Sequence, residues 1–417
     1  MKTILQFLTV VLLCISANAQ ETVVNLSMQP SYSDQVYYKL STETATSFTA
    51  SSWDIAFLRT SAFDFGMRVN SGAGIEVFEA ANTATSYSSI DVTNEANWTA
   101  LQNSETTWSG GAFEQGSASY GFGEYNPSTH AVVGSIVFVL KYADGTYRKF
   151  INESYAAGYT FKYATWNAET STWSEDQTVT LSNTNNPDNK FNYYSLQNDE
   201  EVVAEPAIAD WDFVFTKYAT DYFGDASLFY PVTGVLHSDE VTVAQNDEPS
   251  GMLANPTLTY SDEINTIGYD WKTLNDAWAY DVSSNQAYYI KYADDTIYRL
   301  YFTAFEGSST GNLSFAFENV TNALSIEDVN SSVAFGMYPN PTTDKKVNLV
   351  YDVNTLASNN NEVAIFSTTG QKVYQTNLNT NSGFYNKSLD LSSLASGIYV
   401  LQFTSGNNSV TKKLILK

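Results

Sequence analysis

One pattern occurs twice in this chain. Tyr37-Tyr38-Lys39-Leu40 precedes Trp53-Asp54-Ile55-Ala56-Phe57, and Tyr193-Tyr194-Ser195-Leu196 precedes Trp211-Asp212-Phe213-Val214-Phe215. A second echo follows each: Lys141-Tyr142-Ala143-Asp144-Gly145-Thr146-Tyr147-Arg148, then Lys291-Tyr292-Ala293-Asp294-Asp295-Thr296-Ile297-Tyr298-Arg299. The offset is about 150–160 residues in both cases, a domain length and not a solenoid period. The chain is therefore expected to hold two related domains in tandem, 20–187 and 188–325, meeting in the polar stretch Asn185 to Lys190.

Each copy reads as strands. The sequence carries 29 Tyr, 24 Phe and 8 Trp with only 16% charged residues, and aromatic and β-branched residues prefer the pleated sheet. Ser135 to Leu140 enters a hairpin, Asp144-Gly145 turns it and Tyr147 to Ile151 returns; Asp-Gly between apolar runs suits a tight turn. In the second copy Tyr298, Leu300, Phe302 and Ala304 fall on one face, with Arg299 and Thr303 on the other. Asp294-Asp295 lacks the spaced acids of a calcium loop and reads as a turn. Trp53 and Trp211 open strands and read as core anchors. The expected fold class is all-β, with two tandem related β-domains and a small C-terminal β-sandwich.

Charge and cysteine usage exclude several functions. The net charge of −25 repels phosphate backbones and anionic lipid, so nucleic acid is not an expected partner. The only cysteine, Cys14, lies in the leader, which leaves no thiol for a disulfide, a nucleophile or a zinc site. The only histidines, His130 and His237, form no two-His metal motif and read as surface residues.

Both ends read as targeting segments. Lys2, an apolar run from Ile4 to Ile15 and Ala17-Asn18-Ala19 form a signal peptide over 1–19, with Gln20 the first mature residue. No other stretch is long and apolar enough to span a bilayer. After a polar linker at 326–332, residues 333–417 change character, with seven Lys against four acids. Tyr338-Pro339-Asn340-Pro341 leads in. Strands follow at Lys346 to Tyr351, Glu362 to Phe366, Lys372 to Tyr374, Gly397 to Leu401 and Lys412 to Lys417. The order Tyr-Pro-Asn-Pro, Val-Ala-Ile-Phe-Ser-Thr-Thr-Gly-Gln-Lys-Val, Leu-Ala-Ser-Gly-Ile-Tyr-Val-Leu and a Lys-rich end resembles the type A sorting domain of type IX secretion cargo. The resemblance implies the type IX machinery as a partner, passage across the outer membrane, and removal or anchoring of this domain at the cell surface.

The repeats resemble the HmuY family of secreted haem-capturing proteins. The resemblance rests on Trp-Asp-Ile-Ala-Phe with Arg59 after it, on Asn70-Ser71-Gly72-Ala73-Gly74, and on the Tyr-Ala-Asp-Gly hairpin. It implies an all-β fold that clamps one haem between two side chains, commonly His, without turnover. Where that family places a ligand ahead of the hairpin, this sequence has Tyr125 in the first copy and Tyr280 in the second. His130 lies in the right segment but late, His237 lies too early, and Met252 falls near a first-ligand position in the second copy. Tyr and Met can both hold haem iron, so Tyr280, Met252, Tyr125 and His130 are the candidate haem ligands. Met252 and Tyr280, flanking Trp271 and Trp278, are expected to face one another across a sheet edge. Tyr125 and Tyr280 are equally read as ordinary aromatics among many.

Three functions follow. The first is a secreted, non-enzymatic binder of haem or another porphyrin, whose partner is haem or a haemoprotein, with a scaffold that has lost haem binding as its alternative. The second is a surface glycan-binding or adhesive protein, since exposed Trp and Tyr stack on sugar rings. The third is a glycoside hydrolase working with two carboxylates, for which no motif singles out a pair.

Overall fold

The computed structural model describes residues 21–60, 64–226, 228–253, 256–321, 335–353, 361–381, 383–405 and 408–417. The signal peptide, its cleavage site at Ala19/Gln20 and the linker at 326–332 lie outside them. The fold is nearly all-β, and among the described residues no helix is long and apolar enough to cross a membrane. The chain divides into two compact units, Met1–Leu324 and Ser325–Lys417.

The first unit holds two large apolar cores. One draws on residues from Ile55 to Leu196. It lies between a nine-stranded sheet and a four-stranded sheet ordered Glu200–Val202, Phe191–Ser195, Ile55–Leu58, Met67–Val69. The other draws on Met28 to Leu40 together with Phe213 to Phe317. Its five-stranded sheet runs Thr22–Ser27, Asn312–Asn319, Ile297–Phe305, Gln286–Tyr292, Val241–Asp247. Its four-stranded sheet runs Phe229–His237, Phe213–Asp221, Asp34–Lys39, Thr44–Thr49.

The two copies exchange strands. The Tyr-Tyr strand of the second copy pairs with the Trp-Asp strand of the first, Tyr194 opposite Ile55 and Tyr193 opposite Ala56. The Tyr-Tyr strand of the first copy pairs with the Trp-Asp strand of the second, Tyr38 opposite Phe213 and Tyr37 opposite Val214. The buried aspartates close both joints alike. Asp54 N–H donates to Tyr194 O (2.9 Å) and Asp212 N–H to Tyr38 O (2.8 Å). Asp54 accepts from the backbone and side chain of Gln197, both at 3.0 Å, and Asp212 accepts from Leu40 N–H and Lys39 Nζ, both at 2.7 Å. Each buried carboxylate is thus satisfied by the chain it captures, as burial of a charge requires. Trp53 packs edge-on to Tyr193 at 5.0 Å and Trp211 to Tyr37 at 5.1 Å. The boundary expected at 187/188 therefore runs through both cores. A contiguous stretch from about 50 to 206 builds the first, and residues before 50 return to complete the second.

The hairpins carry a shared irregularity. Asp144-Gly145 and Asp294-Asp295 both turn, with each first aspartate accepting from the following Thr N–H (2.8 and 3.0 Å) and Gly145 at φ +84. In the returning strands the register slips between Asn152 and Ser154 and between Phe302 and Ala304. Such a bulge reverses the alternation beyond it. Hence Phe305 enters the core with Leu300 and Phe302, and Ala304, expected on that face, does not.

Glu205 sits where the two four-stranded sheets approach one another. It is 2% exposed and accepts from Phe191 N–H (2.7 Å) and Tyr193 OH (3.0 Å). Burial pushes its pKa up to about 7 against these bonds and Lys190. A folded pKa above the unfolded value of 4.5 gives stability that is full in acid and lost as pH rises through 4.5 to 7. Chemical denaturation should show the wild type losing about 3 kcal/mol relative to Glu205→Gln across that window. A pH-independent difference would remove the effect from Glu205.

The second unit is a seven-stranded sandwich. Phe335–Tyr338, Lys346–Val353 and Gly383–Asp390 face Lys372–Asn377, Asn361–Ser367, Gly397–Ser405 and Asn408–Leu416 across one core that includes Leu349, Ile365, Leu401 and Leu414. Gly383–Asp390 is a strand that the sequence pattern did not reveal.

Candidate functional site

Two hairpins of the second core overhang their sheets. Phe213–Asp221 and Phe229–His237 stay in register to the end, Asp221 opposite Phe229, although only Phe213 to Phe215 pair with the neighbouring strand. The free half of this ribbon carries Lys217, Tyr218, Tyr230 and Val232, with Tyr222 and Phe223 in the turn beyond. Lys272–Leu274 and Tyr280–Val282 form a second, short hairpin, and Trp278 in its turn is 83% exposed with φ +59. Gly72, Ala73 and Gly74 of the first core lie against the long ribbon. A Cβ on Gly72 would stand 2.2 Å from Lys217 O, so only glycine permits the approach.

Between these elements runs a groove of 700 Å³, lined by Tyr32, Tyr222, Tyr230, Tyr269 and Tyr280. Tyr222 is 49% and Tyr230 53% exposed, their rings 5.8 Å apart, and Tyr222 lies parallel to Tyr269 at 6.4 Å. Tyr32 stacks on Phe305 at 6.0 Å, and burial next to Tyr280 pushes its pKa up to about 12. It is a neutral hydroxyl at physiological pH. Lys272 lies at the floor, donating to Thr233 O (2.5 Å) and Tyr269 O (3.2 Å), with its ammonium 4.3 Å from the Trp271 ring centroid. Burial pulls its pKa down to about 7, partly offset by Asp270. Lys217 also lines the groove, and among the described residues Asp270 is the only carboxylate that does.

The expected site residues divide between places. Tyr280 lines this groove and packs edge-on to Phe305 at 4.9 Å. Met252 does not meet it. Met252 packs with Ala244, Ala287 and Tyr289, which alternate along the five-stranded sheet with Val243, Tyr288 and Ile290 of the core that Tyr280 packs against. Alternation puts the two sets on opposite faces, so Met252 and Tyr280 do not face one another across an edge. Tyr125 and His130 do meet, Tyr125 OH 2.8 Å from Nδ1 of His130, on an exposed hairpin remote from the groove in sequence and lining. His237, expected at the surface, is fully buried. Its Nδ1 and Nε2 face the carbonyls of Ser238 (2.8 Å) and Glu263 (2.7 Å), and burial pulls its pKa down against both. Among the described residues no group of three or more His, Cys, Asp or Glu is arranged to hold a metal ion.

The second unit is decided by its sequence and its sandwich together. Residues 336–417 match the family model of the secretion system C-terminal sorting domain. This segment is a type IX sorting domain. The sorting domain supports secretion by the type IX system, with a secreted or cell-surface location. No curated protein is similar enough to the chain to be matched.

Proposed function

We propose that the chain is a secreted, non-enzymatic carbohydrate-binding protein delivered to the cell surface by its sorting domain. The observation that carries this reading is the tyrosine-lined groove. Sugar rings present apolar C–H faces edged by hydroxyls, and a tyrosine offers an apolar ring face with a polar tip. Tyr222 and Tyr230 keep such faces open to solvent although each could have been buried among the many aromatics of the fold. Binding is favoured over hydrolysis because glycoside cleavage uses two carboxylates and Asp270 stands alone in the groove.

The resemblance to the haem-capturing family supports a second reading through Tyr280, which lines the same groove. Its expected partner ligand, Met252, lies on the other sheet face. One experiment separates the two. A glycan array should return hits that weaken about tenfold, roughly 1.4 kcal/mol, in Tyr222→Ala and in Tyr230→Ala. Haem titration should give no Soret shift. A Soret shift that Tyr280→Phe abolishes, with an empty array, would replace the carbohydrate reading by the haem one.

A further inference from the structure

The groove is unusual for its charge. The chain has 45 acidic against 20 basic residues, so a random lining would be acidic. Here Lys217 and, below about pH 7, Lys272 stand against one aspartate. Lys217 is half-buried in the ribbon, and its ammonium makes no hydrogen bond and no ion pair with the described residues. Ion pairs do hold Lys39, Lys141, Lys162, Lys190 and Lys291. That ammonium is open to the groove with no counter-ion among the described residues, and an anion in the groove would supply that partner. Lys272, at the floor, is anchored by two carbonyls and stays where a second negative group could approach. The acidic excess of the chain lies outside residues 333–417, so within the first unit an acidic ligand is drawn to this groove.

We propose that the groove selects carboxylate-bearing glycans, the uronic-acid polymers, with sugar rings on Tyr222 and Tyr230 and a carboxylate on Lys217. This rests on the carbohydrate reading and adds the charge of the ligand to it. A polymer of repeated uronates suits a groove open at the surface, because successive residues extend past Leu274 at the lip, 49% exposed.

The test uses the mature full-length chain against polygalacturonate, alginate and glucuronan, each paired with its methyl ester. Esterification removes the charge and keeps the rings. At least one acid should bind ten times more tightly than its ester, and added salt should reduce that preference. Lys217→Gln should bring the acid-to-ester ratio to about one, with far-UV circular dichroism as the check on folding. Should Lys217→Gln fail to fold, the salt dependence and the acid-to-ester ratio of the wild type decide. Equal binding of acid and ester, lost in Tyr230→Ala, would overturn the acidic specificity and leave the carbohydrate reading standing. No binding to any of the six polymers, with neutral glycans bound on the array, would overturn it too. An array and polymer set both empty would remove both readings.

Discussion

Residues 50–206 produced alone should fold cooperatively, and residues 21–187 should not. The second piece is the sequence repeat, yet it lacks Phe191, Tyr193, Tyr194 and Leu196, which the structure places at 2–5% exposure in and beside the first core. Each such side chain contributes about 1.5–3 kcal/mol on burial. Four of them are comparable to the whole stability of an ordinary domain, about 5–15 kcal/mol. The same piece carries Thr22 to Thr49, whose strands pair only with residues beyond 187 and the adjoining Thr44–Thr49 ribbon. It would expose unpaired strand edges and aggregate. The 50–206 piece keeps the interior of its core and gives up contacts with the second core, such as Trp108 Nε1 to His237 O at 2.8 Å and Gln35 Nε2 to Ala204 O at 2.6 Å. A permuted second core is also expected to fold: 207–321, a short linker, then 21–49, because Thr22 already lies opposite Phe317. Thermal melts and near-ultraviolet circular dichroism decide. A cooperative melt for 21–187 equal to that of 50–206 would sink the strand exchange.

The same exchange marks where the sequence stops being readable. The Trp-Asp strands and the Asp-Gly and Asp-Asp hairpins were legible because turn chemistry and alternation are local. The partner of each Tyr-Tyr strand was not. Tyr37-Tyr38 and Tyr193-Tyr194 look alike, and nothing local in either says which Trp-Asp strand it will meet. The bulges at Glu153 and Thr303 were invisible for a related reason, since nothing in Asn-Glu-Ser or Phe-Thr-Ala specifies an extra residue. Gly383–Asp390 escaped notice because only Leu389 of its eight residues is buried. The Gly-rich stretch at 70–74 was noticed for its composition, but its use, to let one core approach the other at Lys217, depends on a contact distant in sequence. Of the aromatics in the groove, only Tyr280 was singled out. Tyr222-Phe223 beside Gly224 and Trp278 in a turn carried a usable signal, for large aromatics in a turn have no core to enter.

Removing Lys412 to Lys417 should abolish surface delivery and leave the protein in the periplasm. The tail is the last strand of the sorting sandwich and not an appended basic tag. Asn408–Leu416 pairs along its whole length with Gly397–Ser405 and places Leu414 and Leu416 in the core at 0% and 2% exposure. It also ties down the other end of the domain. Thr342 N–H donates to Ile415 O (3.0 Å), Lys417 N–H to Thr342 O (2.8 Å), and Lys412 Nζ to Phe335 O (2.9 Å). The truncation removes two buried leucines, about 1.5–3 kcal/mol each, and most of a ladder that closes the sandwich, an amount that a domain of this size does not spare. Charge and fold are separable causes. Leu414→Asp keeps every lysine and breaks the core, so it should block delivery as the truncation does. Lys413→Gln leaves the core intact and should be delivered normally if folding alone is read. Surface labelling of intact cells, with periplasmic extracts alongside, should show at least a tenfold fall for the first two variants. Normal delivery of the truncated chain would mean that the export machinery does not read the folded sandwich.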